Sequence, residues 1–414
     1  MPRHLTLWLL VVAAAACGSD ARVSAPAEAS AFARFVAVGT GLSMGEQSGG
    51  VVYESQIAAW PAQLAARVDA PFRVPALKTP GCAPPLVAPL SIYRTLAGDV
   101  GETAASCGGK LGTDTLPANI VAVAGATAWD ALHTSPRSFV TQASSLASSR
   151  YANVLPALQT QLQAMMAQKP TLVAVELGAG EVMRAVNSGL VTVGTSYTQK
   201  TAWTLMPAAV FALVIDSIAD SVAATGARAI FVGVPPVMSL PVWRAGDELW
   251  QRRAQFASYG LNVAADCQGS ANLVNTVAMI PALVAAARTA GIAQPLSCAD
   301  RPGEADFVLT PADAALITQT VTALNAAIKT AAEKRQFAYV GVPRYWEGGT
   351  QGVPTFSAAS FLGGDAPFGA GTSLDGIQPS TAGHVTVTDV VAVALRTKYG
   401  LRIPLSPGYV EAVP

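Results

Sequence analysis

A glycine-rich turn at residues 39–45, Gly-Thr-Gly-Leu-Ser-Met-Gly, directly follows the apolar run of residues 35–38. A buried strand that ends in such a turn and leads into a helix places the turn at the carboxyl edge of a parallel sheet, where open α/β folds bind ligands. Ser43 is the only serine of the turn, and its position favours helix N-capping. The turn therefore predicts a site of the catalytic type without an evident nucleophile.

Two further segments place glycine after a predicted strand. Gly125 follows the apolar residues 120–124, where it fits a strand-to-helix turn. Gly180 follows the apolar residues 172–177, and Glu181 comes directly after it. Because the carboxyl ends of parallel strands meet at one edge of the sheet, we expect these glycines close to the first turn.

A fourth segment, residues 373–380, precedes the last predicted helix and holds Asp375 and, three residues later, Gln378. In this order the four segments resemble the four sequence blocks of the GDSL (SGNH) hydrolases. The resemblance extends over nearly the whole mature domain. It implies a flavodoxin-like three-layer sandwich and, in its active members, hydrolysis of esters.

The resemblance implies a role for each position. Gly41 stands where the family has its nucleophilic serine, and Gly180 stands where an asparagine side chain donates to the oxyanion. Gly125 matches the glycine whose backbone N–H is an oxyanion donor, which suits a residue without a side chain. Asp375 matches the acid of the triad, and Gln378 occupies the position of the histidine base.

Nucleophile, oxyanion side chain and base are thus all replaced. An amide such as that of Gln378 cannot accept a proton near neutral pH. Loss of the nucleophile or the base of a serine triad lowers kcat by about 10⁶, and loss of one oxyanion donor lowers it by about 10²–10³. We therefore expect a catalytically impaired homologue that binds an ester or an acylated glycan.

Other functions stay open at this point. One is an active esterase or lipase that uses Ser43 or another substitute, with His133 and His384 as the available imidazoles. Another is a structural envelope lipoprotein without a ligand. The glycine spacing of residues 39–45 also approaches a dinucleotide-binding fingerprint, but no acidic residue ends a second strand about 20 residues later.

Charge and the N-terminal residues bear on partners and localisation. The chain has 26 basic and 26 acidic residues and is only 13% charged, which disfavours nucleic acid because phosphate binding requires clustered Lys and Arg. Residues 1–16 combine Arg3 with an apolar stretch and small residues before Cys17, as in a bacterial lipoprotein signal. We expect an exported monomer, anchored to a membrane of the bacterial cell envelope by a lipid on Cys17. The alternative is an ordinary signal peptide.

Four cysteines follow Cys17, which in an exported chain favours two disulfides. Of the three possible pairings, the sequential one closes the shorter loops, and we expect it: Cys82 with Cys107 and Cys267 with Cys298. A zinc site is disfavoured because the sequence has no CxxC pair and only two histidines after the signal segment. We expect neither a metal nor a cofactor.

Apolar runs alternate with helical patterns, which predicts an α/β fold with a doubly wound parallel sheet in a single domain with insertions. The tether is predicted at residues 17–30, the domain at 31–400 and a C-terminal tail at 401–414. Strands are expected at 35–39, 120–124, 172–177, 229–234 and 338–342, and helices at 55–68, 151–167, 200–224, 311–335 and 381–398.

Three stretches fit this skeleton poorly. Residues 70–118 and 240–300 each contain one cysteine pair and are expected to be insertions over the active edge. Residues 343–372 carry five aromatic side chains that either anchor a long loop to the core or form a rim that grips an acyl chain or a sugar: Tyr345, Trp346, Phe356, Phe361 and Phe368.

Overall fold

The computed structural model describes residues 27–98, 107–112, 116–142, 145–199, 203–342 and 353–409. The strands are β1 (Phe35–Gly39), β2 (Leu86–Val87), β3 (Arg94–Thr95), β4 (Leu172–Glu176), β5 (Arg228–Val232), β6 (Trp243–Ala245), β7 (Leu261–Val263), β8 (Leu273–Asn275), β9 (Gln294–Leu296), β10 (Val308–Leu309) and β11 (Ala338–Val340).

The α-helices are α1 (Ala27–Phe32), α2 (Gly41–Met44), α3 (Tyr53–Ile57), α4 (Trp60–Ala66), α5 (Ala128–His133), α6 (Leu146–Val154), α7 (Gln161–Ala167), α8 (Met183–Ser188), α9 (Ala208–Ala223), α10 (Gly246–Gln251), α11 (Arg253–Ala257), α12 (Thr276–Ala290), α13 (Pro311–Lys334), α14 (Ala358–Gly363) and α15 (Thr381–Tyr399).

The central sheet is parallel, with strand order β1-β4-β5-β11. Beyond β1 the chain adds one parallel bridge, between Ala37 and Ile120, in place of the strand predicted at 120–124. All residues of β1 and β4 are buried, which explains why their sequences show apolar runs without polar alternation. The predicted α/β class with a parallel sheet is confirmed.

Helices cover the sheet as two separate groups. On one side α5, α7, α9 and α13 pack against one another, with α7 on β1 and α13 on β5 and β11. In the other group α15 packs on α4, and α4 also contacts α2, while α15 lies on β5 and β11. The result is the three-layer arrangement expected from the alternating sequence pattern.

Prolines explain the helix boundaries that the sequence pattern misses. The helix predicted at 55–68 is divided into α3 and α4, because Pro61 has no N–H to donate to the carbonyl of Ile57. Pro156 lies between α6 and α7, where one helix was expected over 151–167. Pro207 is the N-cap of α9, which starts later than the predicted residue 200.

The two predicted insertions carry the smaller sheets and both disulfides. Strands β2 and β3 pair within residues 70–118, and β6, β7, β8 and β9 lie within residues 240–300. The structure pairs Cys82 with Cys107 and Cys267 with Cys298, as predicted. Each disulfide therefore closes a loop inside one insertion.

The chain ends and the aromatic stretch differ in part from expectation. Helix α1 begins at Ala27, inside the predicted tether, and the first residues of the predicted tail pack back on the domain through buried Leu401 and Ile403. The side chains of Phe356, Phe361 and Phe368 are buried and anchor the loop to the core, whereas Tyr345 and Trp346 lie outside the described residues. Across the described ranges, no helix combines the length and apolarity needed to cross a membrane.

We expect the Cys267–Cys298 disulfide to contribute about 3–4 kcal/mol to the free energy of unfolding, because it closes a loop with a sequence separation of 31. Replacement of both cysteines by serine should remove this contribution in urea unfolding curves. Cys17→Ser is the matched control and should leave the curve unchanged. A loss below about 1 kcal/mol in the double variant would show that the loop is already restricted without the bond.

Candidate functional site

A cleft of about 260 Å³ opens at the carboxyl ends of β1 and β4. All four segments singled out in the sequence line it, and both insertions contribute residues. The polar lining comprises Thr40, Glu46, Arg150, Glu176, Asn187, Asn275, Asp375 and Gln378, and the apolar lining includes Leu42, Leu146, Met183, Pro235, Val237, Leu240, Val277 and Ile377. The cleft thus has a polar part and an extensive apolar wall, which is typical of small-molecule sites.

The carboxylate of Glu46 covers Gly41. A Cβ built on Gly41 would overlap the Oε2 atom of Glu46. This placement arises from a tight turn: Gly45 ends α2 with a φ of +83°, and the Glu46 N–H donates to the Gly41 carbonyl at 2.8 Å. The position expected to carry a nucleophile therefore holds the end of a glutamate side chain, which the sequence comparison missed.

The environment of Glu46 disfavours its charged form. Burial raises the pKa of the Glu46 carboxyl, and the nearby Asp375 raises it further, while Arg150 opposes both effects. The guanidinium Nε of Arg150 is buried without a hydrogen-bond partner. Its Nη1 atom lies 3.4 Å from the position that a Cβ on Gly125 would take. A donor therefore stands beside the glycine that was predicted as an oxyanion donor.

Gly180 has no room for a side chain. A Cβ at this position would overlap the carbonyl oxygen of Ala126. The backbones of the second and third segments touch here, so an asparagine could enter only if one of them moved. The loop is held from behind by Glu181, whose Oε1 accepts from the Ala128 N–H at 2.7 Å and the Tyr197 hydroxyl at 2.8 Å.

Asp375 uses its carboxylate to fix its own loop. Oδ1 accepts from the N–H groups of Ile377 and Gln378, both at 2.8 Å, and from the Ser373 hydroxyl at 3.0 Å. Oδ2 accepts from the Gly49 N–H at 2.8 Å. Even with these bonds, burial raises the pKa of Asp375. The residue positions the segment that carries Gln378 into the cleft, rather than orienting a base.

None of the candidate substitutes lines the cleft. Ser43 is fully buried and is not the N-cap of α2, a position that Thr40 occupies. His133 is exposed and packs against Trp129, with the two rings tilted by 38° and their centroids 3.9 Å apart. His384 is fully buried and accepts the Trp60 N–H on Nδ1 at 3.3 Å, and burial lowers its pKa to about 3.

Glu176 takes over the capping of α2. Its Oε2 accepts from the N–H groups of Thr40 at 2.9 Å and Ser43 at 3.2 Å, and its Oε1 accepts from the Thr40 hydroxyl at 2.8 Å. Burial raises the pKa of Glu176 to about 7, although these hydrogen bonds work in the opposite direction. A carboxylate can satisfy orphan helix N–H groups from a distant strand as well as from the N-cap.

One group of side chains in the described part of the chain lies close enough together to hold a metal: Asp266, Cys267 and Cys298. The two cysteines are bonded to each other as a disulfide. The group therefore offers a single carboxylate, which serves the loop by accepting the Cys298 N–H at 2.8 Å and the Ser297 hydroxyl at 2.6 Å.

No family model and no curated protein matches the chain. Two solved structures are similar to it over most of their length. A crystal structure of TesA is 14% identical with a TM-score of 0.32, and the match covers 88% of this chain and 98% of TesA. A mutant of Axe2, an acetyl-xylooligosaccharide esterase from Geobacillus, is 10% identical with a TM-score of 0.34, covering 90% of this chain and 96% of Axe2. Function is therefore argued from the residues of the cleft.

Glu176→Gln should change how stability depends on pH. The pKa of Glu176 rises on folding from 4.5 to about 7, so its contribution is fully present below pH 4.5 and is lost as the pH rises through 7. This shift corresponds to roughly 3 kcal/mol in the wild type and disappears in the variant. The unfolding free energy of the wild type, measured in urea at a series of pH values, should therefore fall relative to that of the variant as the pH rises through this window.

Glu181→Gln is the matched control, because burial raises the pKa of Glu181 to about 7 as well. Each single variant should remove the contribution of one glutamate and the double variant both contributions, while the raised pKa values of Glu46 and Asp375 affect all variants alike. The loss of stability at low pH that His384 causes through its lowered pKa is common to all variants, so it cancels when their unfolding free energies are subtracted. A pH-independent difference for Glu176→Gln would contradict a raised pKa at this position.

Proposed function

We propose that this chain is a GDSL/SGNH-type protein that binds an ester or an acylated glycan and has lost serine-dependent ester cleavage. The observation that carries the proposal is the overlap of the Glu46 carboxylate with the position of a side chain on Gly41. No serine, cysteine or histidine stands among the described residues that line the cleft. Covalent catalysis by a serine or cysteine nucleophile paired with a histidine base therefore lacks its parts.

The topology supports a ligand site at this edge. With the bridge at Ile120 placed first, the sheet order reverses between β1 and β4, and the cleft lies at the carboxyl ends of those two strands. Open α/β sheets bind ligands at such a switch point. The Gly41 and Gly125 backbones both line the cleft, in the region where the resemblance places the carbonyl of an ester.

The two parts of the cleft suit an acylated ligand. Met183, Val237, Leu240 and Val277 belong to an apolar wall that can accept the hydrocarbon of an acyl group. Gln378 and Arg150 present side-chain donors on the polar part. A ligand with one apolar end and one carbonyl- or hydroxyl-rich end would match both.

Export and membrane anchoring complete the proposal. Two disulfides are typical of proteins that fold in an oxidising compartment. The signal segment and Cys17 lie outside the described residues, so the lipid anchor at Cys17 and the location in a bacterial envelope rest on the sequence. The alternative of an active esterase that uses Ser43 is disfavoured, because the Ser43 side chain is fully buried away from the cleft.

The purified mature protein should hydrolyse p-nitrophenyl acetate no faster than buffer and should not react with a fluorophosphonate probe. Loss of the nucleophile or the base alone lowers the kcat of a serine-triad enzyme by about 10⁶. Ser43→Ala should leave both results unchanged. Probe labelling that Ser43→Ala abolishes would overturn the proposal.

Binding should appear as a thermal shift with short-chain acyl esters or acetylated xylo-oligosaccharides, which stabilise the folded state by mass action. At about 100 times the dissociation constant the gain is roughly 2.7 kcal/mol. Val237→Asp, which places a charge on the apolar wall, should abolish the shift. Failure of every ester and acylated glycan to stabilise the wild type would instead favour a purely structural role.

A further inference from the structure

Glu46 and Arg150 face the same cleft but are not paired with each other. Both line it, and the pKa of Glu46 responds to the charge of Arg150. Nevertheless, every Arg150 nitrogen lies more than 4.0 Å from the Glu46 carboxylate oxygens, so the two side chains do not form an ion pair. Of the described residues, none donates to the Glu46 carboxylate or accepts from the Arg150 guanidinium in a hydrogen bond. An acidic and a basic side chain therefore line the same cleft without a hydrogen-bond partner among the described residues.

A separated pair of this kind is costly in the absence of a partner. Each group is partly withdrawn from water, and the buried Nε of Arg150 has no acceptor. Withdrawal from water is compensated when a charged group is paired and hydrogen-bonded. A ligand that presents a donor to Glu46 and an acceptor to Arg150 would supply both pairings at once.

We infer that the cleft selects esters whose acyl group carries a positively charged amino group. The ammonium would donate to Glu46, and the ester carbonyl would accept from Arg150 near Gly125. The aliphatic side chain of such an acyl group would lie on the apolar wall. This inference rests on the proposed function and names the class of acyl group that the cleft recognises.

The distribution of charge favours this orientation. Glu46 has the Asp375 carboxyl as a neighbour, whereas the Glu176 carboxyl is already used by the N–H groups of α2. Arg150 is the only basic side chain among the described lining residues. An ammonium is therefore attracted to the Glu46 end and repelled from the Arg150 end, whereas a carbonyl or carboxylate oxygen prefers the reverse.

The test compares three probes that differ at one group: valine methyl ester, N-acetylvaline methyl ester and methyl 3-methylbutanoate. Dissociation constants are measured by calorimetry at about pH 6.5, where the amine of the first probe is protonated. We expect the wild type to bind the amino ester about tenfold or more tightly than the other two, since a charge-assisted hydrogen bond is gained.

Two variants assign the preference to its residues. Glu46→Gln keeps the shape of the side chain and should reduce the preference for the amino ester to less than about threefold. Arg150→Met keeps an unbranched stem and should weaken all three probes to a similar extent, by about tenfold. Glu54→Gln, on the exposed face of α3, is the matched control and should bind like the wild type.

The outcomes separate the inference from the proposed function. Equal binding of the three probes by the wild type, or an amino preference that persists in Glu46→Gln, overturns the inference while ester binding stands. Binding of none of the probes, with no thermal shift from any ester, overturns both. Far-ultraviolet circular dichroism and the melting temperature of each variant establish that the comparison is made between folded proteins.

Discussion

The buried carboxylate of Glu176 is the interaction on which the arrangement of the cleft depends. Glu176 is the last residue of β4 and pairs in register with Gly39, the last residue of β1. From there it accepts the N–H groups of Thr40 and Ser43 and so fixes the short helix α2 against the sheet. A Cβ at Gly39 would lie 2.8 Å from both the Ser43 hydroxyl and the Glu176 carbonyl oxygen and 2.9 Å from the Glu176 Oε2 atom, so this arrangement leaves no space for a side chain at position 39. This placement lowers stability, because burial disfavours the charged carboxylate and so raises the pKa of Glu176.

The fixed helix α2 determines what occupies the centre of the cleft. Gly45 ends α2 in the left-handed region, which folds the chain back so that Glu46 lies over Gly41. On the opposite side the close contact between Gly180 and the Ala126 backbone removes the space for an asparagine. At positions 41 and 180, a neighbouring residue therefore fills the space that a side chain would need. A serine at position 41 or an asparagine at position 180 would therefore meet an occupied position.

The sequence predicted the parts of the structure that depend on local pattern. Buried runs marked β1 and β4, the helical pattern of residues 311–335 marked α13, and loop lengths favoured the observed disulfide pairing. Glu46 could not be predicted in this way, because its place over Gly41 depends on the turn at Gly45 and on a carboxylate 130 or so residues away, at Glu176. The sequence does show an acidic residue directly after Gly45, but its position over Gly41 follows only from the folded chain.

The position of Glu46 over Gly41 also bears on whether the cleft suits catalysis or recognition. A serine nucleophile needs a small hydroxyl beside the oxyanion donors and a base within hydrogen-bond reach, whereas this cleft holds a carboxylate there and a guanidinium beside Gly125. In the described part of the chain, the Glu46 carboxyl and the Arg150 guanidinium have no hydrogen-bond partner, and groups in this state favour ligands that can pair with both. The residues at this edge of the sheet therefore favour the proposed binding of a ligand over serine-dependent cleavage.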